Sequence, residues 1–283
     1  MPLSQWHWLS RRRRHRAAGL VVLLFGLLAV GAVYSAAVPS SKATADDSAQ
    51  SQQIEEGRKL FAVSCASCHG LNAEGGGNGE GKMAGPSLIG VGAAAVDFQV
   101  GTGRMPAQQP GAQIPRKPPV FTADEVAALA AYVASLAPGP AIPPESAYDV
   151  SNATDEQIAR GGELFRTNCT ACHNFAGQGG ALPRGRYAPT LMGVDPKYMY
   201  LAMLTGPQQM PVFSDQVMTS EDKRDIIAYV KAMEKQDDPG GFSLGRLGPV
   251  TEGIFGWLAG IGALIAVAVW TGAKGVKAGR NAE

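Results

Sequence analysis

Cys65-Ala-Ser-Cys68-His69 and Cys169-Thr-Ala-Cys172-His173 repeat one five-residue pattern, C-x-x-C-H, at an offset of 104 residues. No other feature of the 283-residue chain constrains its fold so strongly. C-x-x-C-H is the attachment signature of a c-type haem. Two intervening residues place both sulfurs on one helical turn, where they can add across the porphyrin vinyl groups. The next residue, His, then lies below the ring and offers an imidazole nitrogen to the iron. A redox C-x-x-C pair needs neither the adjacent His nor a second copy. A structural zinc site needs four ligands, which the two motifs could supply only by pairing. The sequence around each motif makes each unit self-contained instead.

GRKLFAVSCASCH (57–69) matches GGELFRTNCTACH (161–173), and GPSLIGVG (85–92) matches APTLMGVD (188–195). GTGRMPAQ (101–108) matches TGPQQMPV (205–212) around a Met-Pro dipeptide, and TADEVAALAAYVASL (122–136) matches TSEDKRDIIAYVKAM (219–233). The offset stays at 104 to 105 through the Met-Pro dipeptides and drops to 97 at the last segments. The first copy therefore carries an extra Pro-rich loop, QQPGAQIPRKPP (108–119).

This order resembles the class I cytochrome c fold: a helix ending at C-x-x-C-H, irregular loops, an axial Met, then a C-terminal helix crossing the first. The resemblance covers 52–137 and 154–236 and implies an all-α chain with two tandem domains. In that family a Gly and an aromatic on the first helix pack against an aromatic on the last. Gly57, Phe61 and Tyr132 match in one copy, and Gly161, Phe165 and Tyr229 in the other. These residues are structural: the Gly permits close approach of two helices and the ring fills the crossing.

Each iron needs a second axial ligand or an open face. The chain has four His; His7 and His15 precede the first apolar run, and His69 and His173 are already used. Bis-His ligation in the body is excluded by counting, and Met is the favoured neutral ligand left. Met105 and Met210 precede Pro at matching positions, where the family places its ligand loop. Met83, Met192, Met199, Met203, Met218 and Met233 are rivals. By the same resemblance, the carbonyls of Pro86 and Pro189 orient the proximal His rings. The second motif departs from the first after its His, reading Asn174-Phe175 where the first has Gly70, so packing at the two haem edges is expected to differ.

Closed His/Met sites suit electron transfer rather than small-molecule chemistry. With both body histidines assigned to iron, no Ser-His or Cys-His nucleophile remains, and no catalytic residue is assigned. The Gly-rich GLNAEGGGNGEGK (70–82) matches neither a P-loop nor a dinucleotide fingerprint.

Charge and hydropathy set the topology. The formal net charge is +1, but residues 1–16 carry five Arg and no acid. Residues 17–252 carry 17 Lys+Arg against 23 Asp+Glu, and residues 253–283 carry three cations against one acid. A chain that is 17% charged, with so small an excess, is neither disordered nor a nucleic-acid binder. Ala17–Ala37 and Gly253–Ala273 are uncharged runs of 21 residues, and about 20 helical residues cross a hydrocarbon core. The positive-inside rule keeps both basic ends cytoplasmic and places 38–252 outside. All four Trp (Trp6, Trp8, Trp257, Trp270) lie in or beside these end segments. The first run, ending in Ser35-Ala36-Ala37, is either a retained anchor or a cleaved signal. The expected organisation is thus 1–37 anchor or signal, 38–51 linker, 52–137 first domain, 138–153 Pro-rich linker, 154–236 second domain. A linker (237–252), a membrane helix (253–273) and a basic tail (274–283) complete it. The short Pro-rich linker should hold the two domains close.

An N-terminal basic apolar segment, two class I domains and a C-terminal span together resemble the dihaem cytochrome c subunit family of the actinobacterial menaquinol–cytochrome c reductase. That resemblance implies two covalently bound haem c and association with cytochrome b and Rieske iron–sulfur subunits. It further implies delivery of electrons to a haem–copper oxidase, with quinol oxidised on partner subunits. Two alternatives are the dihaem subunit of a cbb-type oxidase, whose anchor lies on the N-terminal side, and an electron-accepting subunit of a periplasmic dehydrogenase. A free membrane-bound carrier is the blandest reading.

Overall fold

A computed structural model describes residues 18–37, 45–76, 85–109, 111, 113–236, 246 and 249–280. Trp6, Trp8, the N-terminal Arg run, Met83 and the Gly-rich loop beyond Gly76 lie outside the described residues. The same holds for residues 38–44, for most of the 237–252 linker and for the side chains of the basic tail. Two compact units divide the chain, residues 1–51 and 52–283. In the first, α1 (Ala18–Ala37) is the apolar N-terminal helix, and its side chains are exposed from Gly19 through Tyr34. The helix α2 (Ala45–Ser64) carries the chain into the second unit.

The second unit holds two lobes built on one plan. Lobe 1 continues from α2 into the short α3 (Ala66–His69), then α4 (Gly92–Gly101) and α5 (Ala123–Leu136). A Pro-rich passage with one 3-10 turn (Glu145–Ala147) leads to lobe 2. There α6 (Asp155–Asn168) and α7 (Thr170–His173) precede a small antiparallel hairpin, β1 (Gly180–Leu182) with β2 (Arg186–Ala188). Helices α8 (Pro196–Thr205) and α9 (Ser220–Lys235) complete the lobe. The hairpin is an addition to the all-α expectation. Its turn places Arg184 (φ 64°) and Gly185 (φ 74°) in the left-handed region, which lets the chain reverse over a few residues.

Capping fixes where the helices begin. Thr122, Thr154 and Thr219 each accept a hydrogen bond from the backbone N–H three residues on. The side-chain oxygens of Glu125, Gln157 and Asp222 accept one in turn from the cap backbone N–H, and such a box is worth about 1 kcal/mol. On α5 the buried residues Val126, Leu129, Ala130 and Val133 fall at helical spacing and form one stripe. They pack with Phe61, Val96 and Val100 into the lobe 1 core. Ile226, Ile227 and Val230 on α9 do the same with Phe165, Met199 and Met203 in lobe 2.

The crossing of first and last helices follows from one glycine in each lobe. A Cβ on Gly57 would lie 1.9 Å from the Ala128 carbonyl oxygen, and one on Gly161 would lie 1.9 Å from that of Asp225. The rings of Phe61 and Tyr132 then meet at 5.2 Å, and those of Phe165 and Tyr229 at 5.5 Å.

The lobes also share a core. Ala94 and Phe98 of α4 are buried with Leu201 of α8, and Tyr198 and Ala202 pack against them. Asp97 of α4 pairs with Lys197 of α8 at 2.5 Å. Burying Phe98 and Leu201 contributes roughly 1.5–3 kcal/mol each. The Pro-rich linker joins in: Ala94 N–H donates to the Pro140 carbonyl at 3.1 Å, and Gly92 lacks a Cβ where one would strike that oxygen.

The C-terminal α10 (Pro249–Arg280) includes Gly253–Ala273, 21 residues of mean hydropathy 2.0. It is the one helix among the described residues long and apolar enough to cross a membrane. Within α1 the apolar helix Ala18–Tyr34 is shorter.

Candidate functional site

In both lobes the helix before the motif stops at the first Cys and restarts as one turn. Cys65 N–H bonds the Phe61 carbonyl at 2.8 Å, and His69 N–H bonds the Cys65 carbonyl at 3.0 Å. In lobe 2 the same two bonds, Cys169 to Phe165 and His173 to Cys169, measure 2.9 and 2.8 Å. Each pair of thiols therefore sits on a single turn, with its His held at the end of that turn.

The His rings are oriented from behind. Nδ1 of His69 lies 2.8 Å from the Pro86 carbonyl, and Nδ1 of His173 lies 3.0 Å from the Pro189 carbonyl. A carbonyl only accepts, so each Nδ1 carries the hydrogen and each Nε2 presents a lone pair. Gly85 lies against the His69 ring, where a Cβ would come within 2.6 Å of Nδ1. Burial lowers the pKa of His173, against the opposing bond to Pro189, and so favours the neutral ring that can bind a metal. Burial, with the neighbouring Cys of the pair, pushes the Cys65 and Cys169 thiols up to about 11. Unattached, they are protonated at neutral pH.

A cavity of about 400 Å³ opens in lobe 2, a size in the range of roughly 300–1,000 Å³ usual for cofactor clefts. Cys169, Cys172, His173 and Met210 all line it, with Leu191, Phe213, Ile227 and Val230 among its apolar walls. Met199 and Met203 line it too, but both are buried in the α8 core, whereas Met210 is partly buried on a loop. Met192 and Met233 approach Gly177 instead, and Met218 is buried in the core. In lobe 1, His69 is buried and Met105 packs, with Cys65, against the lobe core. Thiols on one turn, an Nε2 lone pair, a thioether and an apolar cleft form a donor set that fits a haem.

Residue 174 shows how lobe 2 tolerates its departure. Gly70 has φ 81° and Asn174 φ 66°, so the backbone turns alike after both His residues. The Asn174 carboxamide oxygen accepts from Ala176 N–H at 3.2 Å.

Sequence reasoning missed one part of the site. Phe98, Thr102, Arg104, Gln113, Ile114 and Arg116, all from lobe 1, line the lobe 2 cavity. Burial, and then the charge of Arg116, push the Arg104 pKa down. The drop in repeat offset marked the Pro-rich loop as an insertion but not what it touches.

Residues 54–137 match the family model described as "Cytochrome c", and residues 156–230 match "Cytochrome C oxidase, cbb3-type, subunit III". The latter likeness covers lobe 2 alone. Similarity over nearly the whole chain points elsewhere. The chain is 44% identical over 266 residues to the "Cytochrome bc1 complex cytochrome c subunit" of Mycobacterium tuberculosis (strain ATCC 25618 / H37Rv), covering 93% of both. The proteins of that name from Corynebacterium efficiens and Mycobacterium leprae are 43% and 42% identical, over 277 and 256 residues. Those matches cover 93% and 90% of this chain, and 91% and 87% of the relatives. With two cytochrome c domains, each implying a covalently bound haem c, and a C-terminal anchoring helix, the chain belongs to the family of cytochrome bc1 complex cytochrome c subunits.

Proposed function

We propose that the chain relays single electrons from a Rieske iron–sulfur protein, through two haem c groups, to a haem–copper terminal oxidase. In this reading Cys65 and Cys68 hold one haem by thioether bonds, and Cys169 and Cys172 hold the other. His69 and Met105 would ligate the iron in the first domain, and His173 and Met210 in the second. Haem c supplies reversible one-electron chemistry. The protein's own part is to bind, orient and tune. The Pro86 and Pro189 carbonyls fix the His rings, and the apolar walls exclude water. A Met thioether as the partner of the His would raise the potential relative to a second His. In this reading quinol oxidation belongs to partner subunits, with cytochrome b and the Rieske protein the expected neighbours.

The observation that carries the reading is the repeated arrangement of C-x-x-C-H turn, buttressed His and Met-Pro loop, in a chain of this family. The domain limits 52–137 and 154–236 are our assignment, as are the linkers and the outward placement of both haem domains. Both basic ends then stay in the cytoplasm, provided residues 1–37 are retained; N-terminal sequencing of the mature chain decides that point. Purification in mild detergent tests the whole. Co-isolation of cytochrome b, Rieske and oxidase subunits is expected. Co-isolation of a dehydrogenase, or of no partner, overturns the assignment.

A further inference from the structure

The inserted loop of domain 1 fastens to the lips of the domain 2 cavity. The Gln113 side chain donates to the Tyr187 carbonyl at 2.7 Å and accepts from Tyr187 N–H at 2.9 Å. Gln208, two residues before Met210, does the same in reverse: it accepts from Ile114 N–H and donates to the Ile114 carbonyl, both at 3.0 Å. Two side-chain amides thus clamp the loop reciprocally across domains. At its other end Lys117 donates to the carbonyls of Gly103 (3.0 Å) and Pro106, on either side of Met105. The strap therefore joins the two Met-bearing loops.

Domain 1 also brings positive charge to the cavity, from Arg104 ahead of the strap and Arg116 on it. Arg104 and Arg116 line it, while among the described residues Asp195 is the one Asp or Glu that does so. Asp195 caps α8 by accepting from Lys197 N–H at 2.8 Å. Arg104 is half-buried; its guanidinium donates to the Thr102 hydroxyl at 2.7 Å and lies over the Phe98 ring at 4.8 Å. Among the described residues no carboxylate pairs with Arg104 or Arg116. A third guanidinium, Arg186, precedes the lining residues Tyr187 and Ala188, and its buried Nε has no hydrogen-bond partner. Arg116 is exposed, but the half-buried Arg104 and the buried Nε of Arg186 are cut off from solvent in part, and such cationic groups without an anion are costly. An anion in the cavity would remove that cost, and guanidinium forks match carboxylates geometrically.

We propose that Arg104 and, from the inserted strap, Arg116 of domain 1 pair across the domain boundary with the carboxylate groups of the haem held in domain 2, so that domain 1 completes that haem's site. The proposal rests on the haem reading above. It makes domain 2 dependent on domain 1 for the setting of its potential, because a nearby cation disfavours the more positive ferric state.

Redox titration of the full-length chain in mild detergent tests this, with covalent haem content measured in parallel. A Cys169→Ala, Cys172→Ala chain identifies the domain 2 step by its loss. If that chain keeps both steps, the haem reading itself fails. With both haems present, Arg104→Gln plus Arg116→Gln should lower the domain 2 midpoint. Held at the wild-type midpoint, the oxidised-to-reduced ratio should rise on the order of tenfold, or about 59 mV for a one-electron couple. The corresponding double Lys variant, which keeps the charge, should move less than half as far. Gln113→Ala, which loosens the strap without removing charge, should also move less. The proposal is overturned if the domain 2 midpoint stays put or the domain 1 step moves as far. It is equally overturned if the Lys or Gln113 variants match the double Gln variant.

Discussion

Gly161→Ala puts the shared architecture under direct stress. Gly161 sits on α6 where it crosses α9, and an added Cβ would lie 1.9 Å from the Asp225 carbonyl oxygen and 2.4 Å from its carbon. Those atoms are helix backbone and cannot rotate aside, so the helices must separate by more than an ångström. Helix propensity works the other way, favouring Ala over Gly by about 1 kcal/mol. Overpacking against a fixed neighbour costs about 1–3 kcal/mol, and more when backbone has to move. Separation also loosens the Phe165–Tyr229 contact at 5.5 Å, worth about 0.5–1.5 kcal/mol. The steric terms win, leaving a net loss of roughly 2–3 kcal/mol. For a domain of this size each kcal/mol shifts the midpoint by about 4–8 °C, so the domain 2 transition should fall on the order of 10–20 °C. Scanning calorimetry of the full chain in detergent reads this, and Gly57→Ala should do the same to domain 1. Gly253→Ala, with nothing within 4 Å of its Cβ, should cost nothing. A Gly161→Ala chain that melts at or above wild type would refute the close-crossing argument.

Three other outcomes follow from single contacts. Asn174, at φ 66° and ψ 159°, occupies a region that is essentially glycine-only and costs about 1–3 kcal/mol. Asn174→Gly should therefore raise the domain 2 melting temperature despite losing the bond to Ala176; a lower value would contradict the strain. Burial opposes the charge of Lys197, but the hydrogen bond and charge of Asp97 more than compensate, raising its pKa. That contribution is fully present below the unfolded Lys pKa of about 10.4 and is lost as pH rises through the higher folded value. Asp97→Asn should flatten this alkaline loss in urea unfolding, and an unchanged pH profile would refute the linkage. Met105→His and Met210→His should each keep six-coordinate iron but lower the potential of one haem. A variant whose redox titration is unchanged would show that another Met is the ligand.

The contrast between Gly57 and the strap explains what could be read in advance. Gly57, Phe61 and Tyr132 could be paired from sequence because their roles recur, in the same order, around a second motif. His69 and His173 followed from the motif itself, and the carbonyls of Pro86 and Pro189 were found where the resemblance implied. The hairpin around Arg184 was not legible, since three-residue strands leave no alternating pattern and their turn depends on a positive φ at a non-glycine residue. Nor was the Gln113–Tyr187 clamp, a side-chain contact between residues 74 positions apart that hydropathy does not encode. Nor does the sequence mark Arg104, whose place in the neighbouring domain's cavity depends on how the two lobes pack.

The relay is tested most directly by quinol-driven oxygen uptake in the intact assembly, with one haem at a time removed. Wild type should consume oxygen with both c-type haems cycling. Cys65→Ala plus Cys68→Ala, or Cys169→Ala plus Cys172→Ala, should each leave a single covalent haem and abolish uptake, in assemblies shown to keep all their subunits. Sustained oxygen uptake with either haem missing would contradict an electron path that runs through both.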